Sequence, residues 1–121
     1  MITKLSYGIL IVITLGVILN SVYVTNLSEK LYAISTSGDD AEIEEIKTKF
    51  DEIEKIYRKN EIFISLTVSH EDLTTIKDVL AEINGAILAD DKESLIIAKS
   101  RFESAIQHLG RLSEFNIESI F

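Results

Sequence analysis

His70, Glu71 and His108 are the residues whose types could most readily do chemistry together. Two imidazoles and a carboxylate can hold a zinc ion and leave one position open. A predicted turn near residues 89–90 would bring the region around His70 beside His108. Polar residues at helix ends are ordinarily caps and surface groups, and short motif matches are mostly false. We favour this simpler interpretation and predict no metal-ligating residues.

Other kinds of catalytic site have less support. Ser69 is next to His70 in sequence, but adjacency does not give the geometry that a nucleophile and its base require. The chain has 20 Asp and Glu residues, yet nothing in the pattern indicates a pocket around any of them. It has no Cys, which excludes disulfides, thiolate chemistry and Cys-based metal sites. We therefore predict no catalytic residue, no cofactor-binding residue and no cofactor, and we expect a protein that is not an enzyme.

The elements that would position these residues begin with an apolar segment. Leu5 through Ser28 are 24 residues without a charge. As a helix they would be about 36 Å long, against a hydrocarbon core of about 30 Å. Tyr7 and Tyr23 lie 16 residues apart, so their rings would fall near the two membrane interfaces. The pattern predicts a transmembrane anchor.

A cleaved signal peptide is the alternative interpretation of this segment. Cleavage requires small residues one and three positions before the cut. Cleavage after Ser21 would put Leu19 at the third position, and cleavage after Thr25 would put Tyr23 there. These large side chains favour an uncleaved signal anchor.

Basic residues give a slight preference for the orientation. Lys4 precedes the apolar segment, and Lys30 is the only basic residue soon after it. The positive-inside bias favours an N-terminus inside the cell and a domain outside it. Asn20 could either hydrogen-bond to a partner helix or approach the lipid headgroups.

Charge and composition restrict the class of the remaining chain. The net charge is −8, and all 20 acidic residues lie at Glu29 or beyond. Such a surface repels nucleic acid and anionic lipid headgroups, so we expect no nucleic-acid partner. The chain has no Pro, which favours long uninterrupted helices.

Helical periodicity accounts for most of the acidic part. It continues through Leu31 and stops at Gly38, a residue suited to a helix C-terminus, after which Asp39 or Asp40 suits the next N-cap. The segment 62–68 alternates like a strand but has no second strand to pair with, so we predict helix there. Three seams of apolar residues follow the helical period: Ile43, Ile46, Phe50, Ile53, Tyr57 and Ile64; Leu73, Ile76, Leu80, Ile83 and Ile87; Leu95, Ala98, Phe102, Ala105, Leu109 and Leu112.

Two capping patterns define the last helices. Ser69 with Asp72 predicts one N-terminus, and Asp90 with Glu93 predicts the next, across a turn short enough for an antiparallel hairpin. Additional apolar residues widen the hairpin faces beyond a two-helix seam, and the apolar end of the chain is expected to pack back on the bundle. The additional residues are Val79, Ile97 and Ile106, and the apolar end is residues 115–121.

The predicted fold is all-α: a single N-terminal transmembrane helix followed by a small antiparallel three-helix bundle. The predicted divisions are a transmembrane anchor at 1–28, a membrane-proximal helix and hinge at 29–38, and an acidic helical domain at 39–121.

Three segments together resemble a known family. They are residues 69–76 (SHEDLTTI), the Asp90–Asp91 turn and the closing residues 115–121 (FNIESIF). They resemble the bacterial family known as domain of unknown function 4363. The resemblance covers nearly the whole chain and implies an N-terminal membrane helix with a helical remainder. It implies no activity, substrate or cofactor. Members often carry Trp in the helix before the His–Glu step, whereas this chain has no Trp.

Two functions from different classes fit these observations. The first is a non-catalytic accessory or interaction module in the cell membrane, with a membrane-protein partner or a second copy of itself. The alternative is an extracytoplasmic domain that binds or senses a cation or a small ligand, which would explain the acidity. The sequence points to no particular ligand.

Overall fold

The structure is a computed structural model. It describes the backbone of residues 2–38 and 42–120 and the side chains of residues 3–38 and 42–112. Four helices make up the described chain: α1 (Ile2–Thr36), α2 (Ile43–Ser65), α3 (His70–Leu88) and α4 (Lys92–Ile120). Those ranges contain no strand, so the all-α prediction is confirmed.

The helices form an up–down–up–down bundle in which each contacts two others. α1 packs most extensively against α4 and also contacts α2, while α3 packs between α2 and α4. Pairs of contacts fix the directions. Between α1 and α2, Asn20 meets Phe63 and Tyr23 meets Asn60. Between α1 and α4, Ser35 meets Glu103 and Ser28 lies against Gly110. Neighbouring helices are therefore antiparallel, as short connections favour.

The predicted three-helix bundle is wrong, because the second half of α1 is a fourth member of it. Val24, Leu27 and Leu31 are buried in the same core as the other three helices. α1 runs without a break through residue 28, the predicted end of the anchor. Ser21, Ser28 and Ser35 alternate with these apolar residues at seven-residue spacing and are also buried. Their hydroxyls make the buried face of α1 look polar in sequence.

The core confirms most of the predicted seams. On α2 five of the six predicted residues are buried and Ile43 is half-buried. Val79 and Ile106 are buried as expected, but Ile97 is exposed, because the fourth helix packs on the opposite side of α4. The core comprises Val24, Leu27, Leu31, Ile46, Phe50, Ile53, Tyr57, Ile64, Val68, Leu73, Ile76, Val79, Leu80, Ile83, Ala86, Leu95, Ala98, Phe102, Ile106 and Leu109.

The connection from α1 to α2 begins as predicted. α1 ends at Thr36, and Gly38 adopts a left-handed φ of 70°, which glycine tolerates best. The predicted caps Asp39 and Asp40 lie outside the described residues. The N-cap of α2 is Glu42, whose side chain makes no capping hydrogen bond.

The connection from α2 to α3 combines a confirmed helix with a confirmed cap. The segment from Ile62 is helical through Ser65 and then forms a turn. Ser69 is the N-cap of α3: its Oγ accepts from the Asp72 amide at 3.3 Å and donates to the Asp72 carboxylate at 2.6 Å. The predicted Ser69 cap is confirmed, but the Asp72 carboxylate accepts from the Ser69 hydroxyl and not from the backbone amide that a capping box would use.

In the connection from α3 to α4 the predicted cap is shifted by one residue. Asp90 has a left-handed φ of 53°, and its amide and that of Asp91 donate to the carbonyls of Ile87 and Ala86. This hydrogen-bond pattern ends α3. Asp90 belongs to that C-terminal turn and therefore does not cap α4. Asp91 caps α4 instead, accepting from the amide and hydroxyl of Ser94 at 3.1 and 2.7 Å. Those hydrogen bonds lower the pKa of the Asp91 carboxyl.

α4 continues as helix to Ile120. The expected packing of residues 115–121 concerns side chains outside the described residues.

Candidate functional site at the junction of the apolar helix and the bundle

The first half of α1 projects from the bundle as an apolar rod. Its eight bulky apolar side chains from Leu5 to Leu15 are each 53–69% exposed. Within α1, the stretch Thr3–Thr36 is long and apolar enough, by length and composition, to cross a membrane. An exposed apolar surface of this extent marks an interaction site.

The rod joins the bundle through polar contacts between α1 and the end of α2. The side-chain amide of Asn20 donates to the Phe63 carbonyl at 2.8 Å and to the Thr67 hydroxyl at 3.2 Å. It therefore adds a second donor to a backbone carbonyl in the last turn of α2, which also accepts from the Leu66 amide at 3.4 Å. This contact within the chain takes the place of the predicted partner helix, and the alternative approach of Asn20 to the lipid headgroups stays a prediction.

One helical turn further, an aromatic and an amide group continue the junction. The Tyr23 hydroxyl donates to the side-chain oxygen of Asn60, whose amide donates to the Ile56 carbonyl at 2.8 Å. The Tyr23 ring also meets Phe63 edge-on, with centroids 5.6 Å apart. Asn60 interrupts the apolar register of α2 and is nevertheless buried, because Tyr23 supplies its partner. Sequence periodicity alone gives no signal that pairs these two residues.

His70 and His108 lie toward this same end of the bundle. His70 is the exposed first residue of α3, and Glu71 beside it is also exposed. The Nε2 atom of His108 lies 3.6 Å from the Asp72 carboxylate, so the acid beside His108 is Asp72. Across the described residues, His, Asp and Glu side chains form no group of three that could hold a metal ion.

Surface grooves lie between neighbouring helices of the bundle. One of about 420 Å³ runs between α1 and α4, lined by Thr25, Ser28, Ile106 and Gly110 among others. A second, of about 300 Å³, lies between α2 and α3. Glu54 and Glu61 line it, but they pair with Arg58 and Lys77. In the first groove the Ser28 hydroxyl donates to the Thr25 carbonyl at 2.8 Å.

Tyr57 is the one ionisable group of the described core whose pKa is raised. Its side chain is 1% exposed, and its hydroxyl has no hydrogen-bond partner among the described residues. Burial, with a smaller contribution from the charge of Glu61, raises the Tyr57 pKa to about 12. Such a phenol stays protonated at neutral pH and is a poor general base.

Comparison with known proteins identifies the family. No curated protein and no solved structure matches the chain. The model of one family, described as a domain of unknown function, matches residues 17–120. This range takes in the second half of α1 together with the other three helices. It therefore covers the whole bundle, and the resemblance expected from residues 69–76 and 115–121 is confirmed. The chain belongs to the family described as domain of unknown function 4363.

Proposed function

We propose that this protein is a non-catalytic accessory or interaction module, anchored in the cell membrane by the apolar half of α1. The observation that carries the proposal is the division of α1 into two surfaces. From Leu5 to Leu15 its bulky apolar side chains are exposed, whereas Val24, Leu27 and Leu31 enter the core of the bundle. Lipid would cover the first surface and the other helices cover the second.

The charges of the described bundle support a role without catalysis. Its acids lie mostly on the surface, and several are held in ion pairs with basic side chains, such as Glu82 with Arg101 at 2.6 Å. Surface pairs of this kind contribute little to stability. The bundle then serves as a recognition surface close to the membrane, for a membrane protein or a second copy of the chain.

The orientation of the proposal follows the basic residues. Lys4 precedes the apolar segment, and Lys30 is the only basic residue soon after it, so we place the bundle outside the cytoplasm. Protease added to intact spheroplasts of a bacterial host should then digest the bundle. A bundle that stays protected until the membrane is lysed would reverse the orientation.

Two matched double variants test the anchor. In the first, Ile11 and Leu15 on the exposed half of α1 become Lys; in the second, Ile96 and Ile97 on the exposed face of α4 become Lys. A Lys at the centre of a membrane helix costs about 2.5–3.5 kcal/mol, so the first variant should leave the carbonate-resistant membrane fraction. The second should stay with the wild-type chain.

Equal retention of both variants would contradict the anchor.

Purification of the wild-type chain in mild detergent then tests the role. A stoichiometric membrane protein or a defined oligomer supports the interaction module. A monomer whose melting temperature rises with a small ligand, without a partner, would favour the sensing alternative.

A further inference from the structure

Bulky apolar side chains are exposed at the end of the bundle nearest the apolar half of α1. Ile62 is 75% exposed, Leu66 is 69% exposed and Phe63 is 49% exposed. They occupy the last turn of α2 and the residue that follows it. We call these three residues the apolar rim. The anchor proposed above does not use them.

The rim lies level with a particular turn of α1. Phe63 meets the ring of Tyr23, and its carbonyl accepts from the Asn20 side chain. Val22 and Tyr23 are themselves 41% and 45% exposed, so the rim continues the exposed apolar surface of α1. The two surfaces form one patch that passes from a single helix onto the bundle.

Helix length determines where a membrane would meet this patch. From Lys4 to Leu19, the last residue before the junction, α1 rises about 23 Å at 1.5 Å per residue. The hydrocarbon core of a bilayer is about 30 Å thick. A helix that begins its crossing at Lys4 leaves the hydrocarbon about 20 residues later, near Tyr23. Membrane thinning could absorb the difference, but at a cost for each ångström. The rim lies at the level where the hydrocarbon ends.

Two basic residues stand above the rim, in a chain whose net charge is −8. Lys30 and Lys59 line one shallow groove together with Tyr23 and Asn60. Lys59 precedes Phe63 by one helical turn on α2, which places it about 6 Å further from the apolar half of α1. Apolar groups at the acyl boundary with Lys above them are the arrangement that interfacial membrane segments use.

We propose that the apolar rim is a second membrane contact, in which Ile62, Phe63 and Leu66 insert into the boundary between headgroups and acyl chains. Lys30 and Lys59 then face the lipid phosphates. This inference rests on the proposed anchor, since without it the rim has no bilayer beside it. Lipid is favoured as the occupant because the rim is continuous with the anchor surface and has cations at headgroup height.

The absence of Trp from the chain makes a direct test possible, because each introduced Trp reports on one site. Leu66→Trp probes the rim, Leu10→Trp probes the anchor, and Leu88→Trp probes the far end of the bundle, where that side chain is 88% exposed. Each full-length variant is reconstituted in vesicles of phosphatidylcholine and phosphatidylglycerol, with and without bromine on the acyl chains. Circular dichroism checks that each variant keeps its helicity.

The expected result is a blue-shifted emission from Leu66→Trp and Leu10→Trp, with most of it lost in brominated vesicles. Leu88→Trp should emit as in water and keep its intensity. If Leu10→Trp is quenched and Leu66→Trp behaves like Leu88→Trp, the rim proposal is wrong and the anchor stands. If neither is quenched, both proposals fail. A blue-shifted Leu66→Trp that bromine does not quench would mean that protein covers the rim, which overturns lipid as the occupant.

Discussion

At the scale of single residues, the polar groups buried in the bundle differ in how well they are satisfied. Ser35 donates to Glu103 at 2.9 Å and Ser28 donates to the Thr25 carbonyl at 2.8 Å. In contrast, the hydroxyls of Ser21 and Tyr57 have no hydrogen-bond partner among the described residues. An unsatisfied buried hydroxyl lowers stability, so these two positions carry a cost that the fold absorbs elsewhere.

Tyr57 is predicted to make the bundle sensitive to alkali. Its pKa in the folded protein is about 12, above its ordinary value of 10.0, because burial disfavours the phenolate. The folded state therefore holds the Tyr57 proton more tightly than the unfolded state does. The associated stability is complete below pH 10 and is lost as the pH rises from 10 toward 12.

Tyr57→Phe should remove this alkaline loss and also the unsatisfied hydroxyl. At neutral pH, we expect the free energy of unfolding to rise by about 1 kcal/mol or less, which thermal unfolding would measure. Between pH 10 and 12 the variant should lose less stability than the wild type. Tyr7→Phe, on the exposed half of α1, is the control. A variant with the same alkaline profile as the wild type would show that other groups cause the alkaline loss.

Gly110 is predicted to be required by the close approach of α4 to α1. A Cβ at this position would lie 2.5 Å from the Ser28 Oγ but 3.5 Å from the Ser28 Cβ. Gly110→Ala should therefore destabilise the bundle by about 1–3 kcal/mol through overpacking, less a gain of about 1 kcal/mol in helix propensity. Once Ser28 is Ala, only the ordinary carbon contact remains, and Gly110→Ala should become stabilising.

Gly85→Ala is the matched control for this cycle. Gly85 lies inside α3, and a Cβ there would meet nothing within 4 Å. The substitution should stabilise the protein by about 1 kcal/mol in either background. Chemical unfolding of the single and double variants measures the coupling between positions 28 and 110. Additive effects of Ser28→Ala and Gly110→Ala would show that the two helices are not in close contact there.

At the scale of elements, α1 is the helix that sequence analysis placed least well. Helices α2, α3 and α4 were predicted by their apolar period, and the Ser69 cap was predicted by its spacing. α1 was predicted as a helix, but its second half was not assigned to the core. Its length fits a membrane crossing, and its buried serines hide the seven-residue repeat, so hydropathy alone cannot separate lipid-facing from core-facing residues.

The second half of α1 is predicted to be necessary for folding of the bundle. It contributes Val24, Leu27 and Leu31 to the core. Burial of three such side chains contributes about 6 kcal/mol, which is comparable with the whole stability of a small domain. A fragment of residues 20–121 should thus unfold cooperatively in mild detergent, whereas residues 37–121 should not. Melting curves followed by circular dichroism compare the two fragments. Identical cooperative transitions would show that the other three helices fold without α1.

At the scale of the whole molecule, the all-α class of the fold was predictable from sequence, but the packing of α1 as the fourth helix of the bundle was not. Absence of Pro and a sustained helical period indicate an all-α chain without reference to any contact. The pairing of Tyr23 with Asn60 and of His108 with Asp72 depends on which helices are neighbours. The second pairing lies within the predicted α3–α4 hairpin and needs only its register, whereas the first follows only after α1 is known to lie between α2 and α4. The junction was therefore beyond sequence reasoning, while the apolar half of α1 was within it.

The unbroken helix α1 also determines how far its C-terminal end stands from the junction with the apolar segment. From Asn20 to Thr36 it rises about 24 Å, so in an anchored chain the Thr36 end of α1 stands that far above the junction. A disordered linker would let the bundle take many positions relative to the membrane. A continuous helix instead makes the bundle and the anchor tilt together as one rigid body. A tilt of about 20°, ordinary for a membrane helix, would move the Thr36 end of α1 sideways by about 8 Å. Any partner that binds the bundle must therefore approach the bilayer closely. A change in the angle of the anchor would move the surface to which that partner binds.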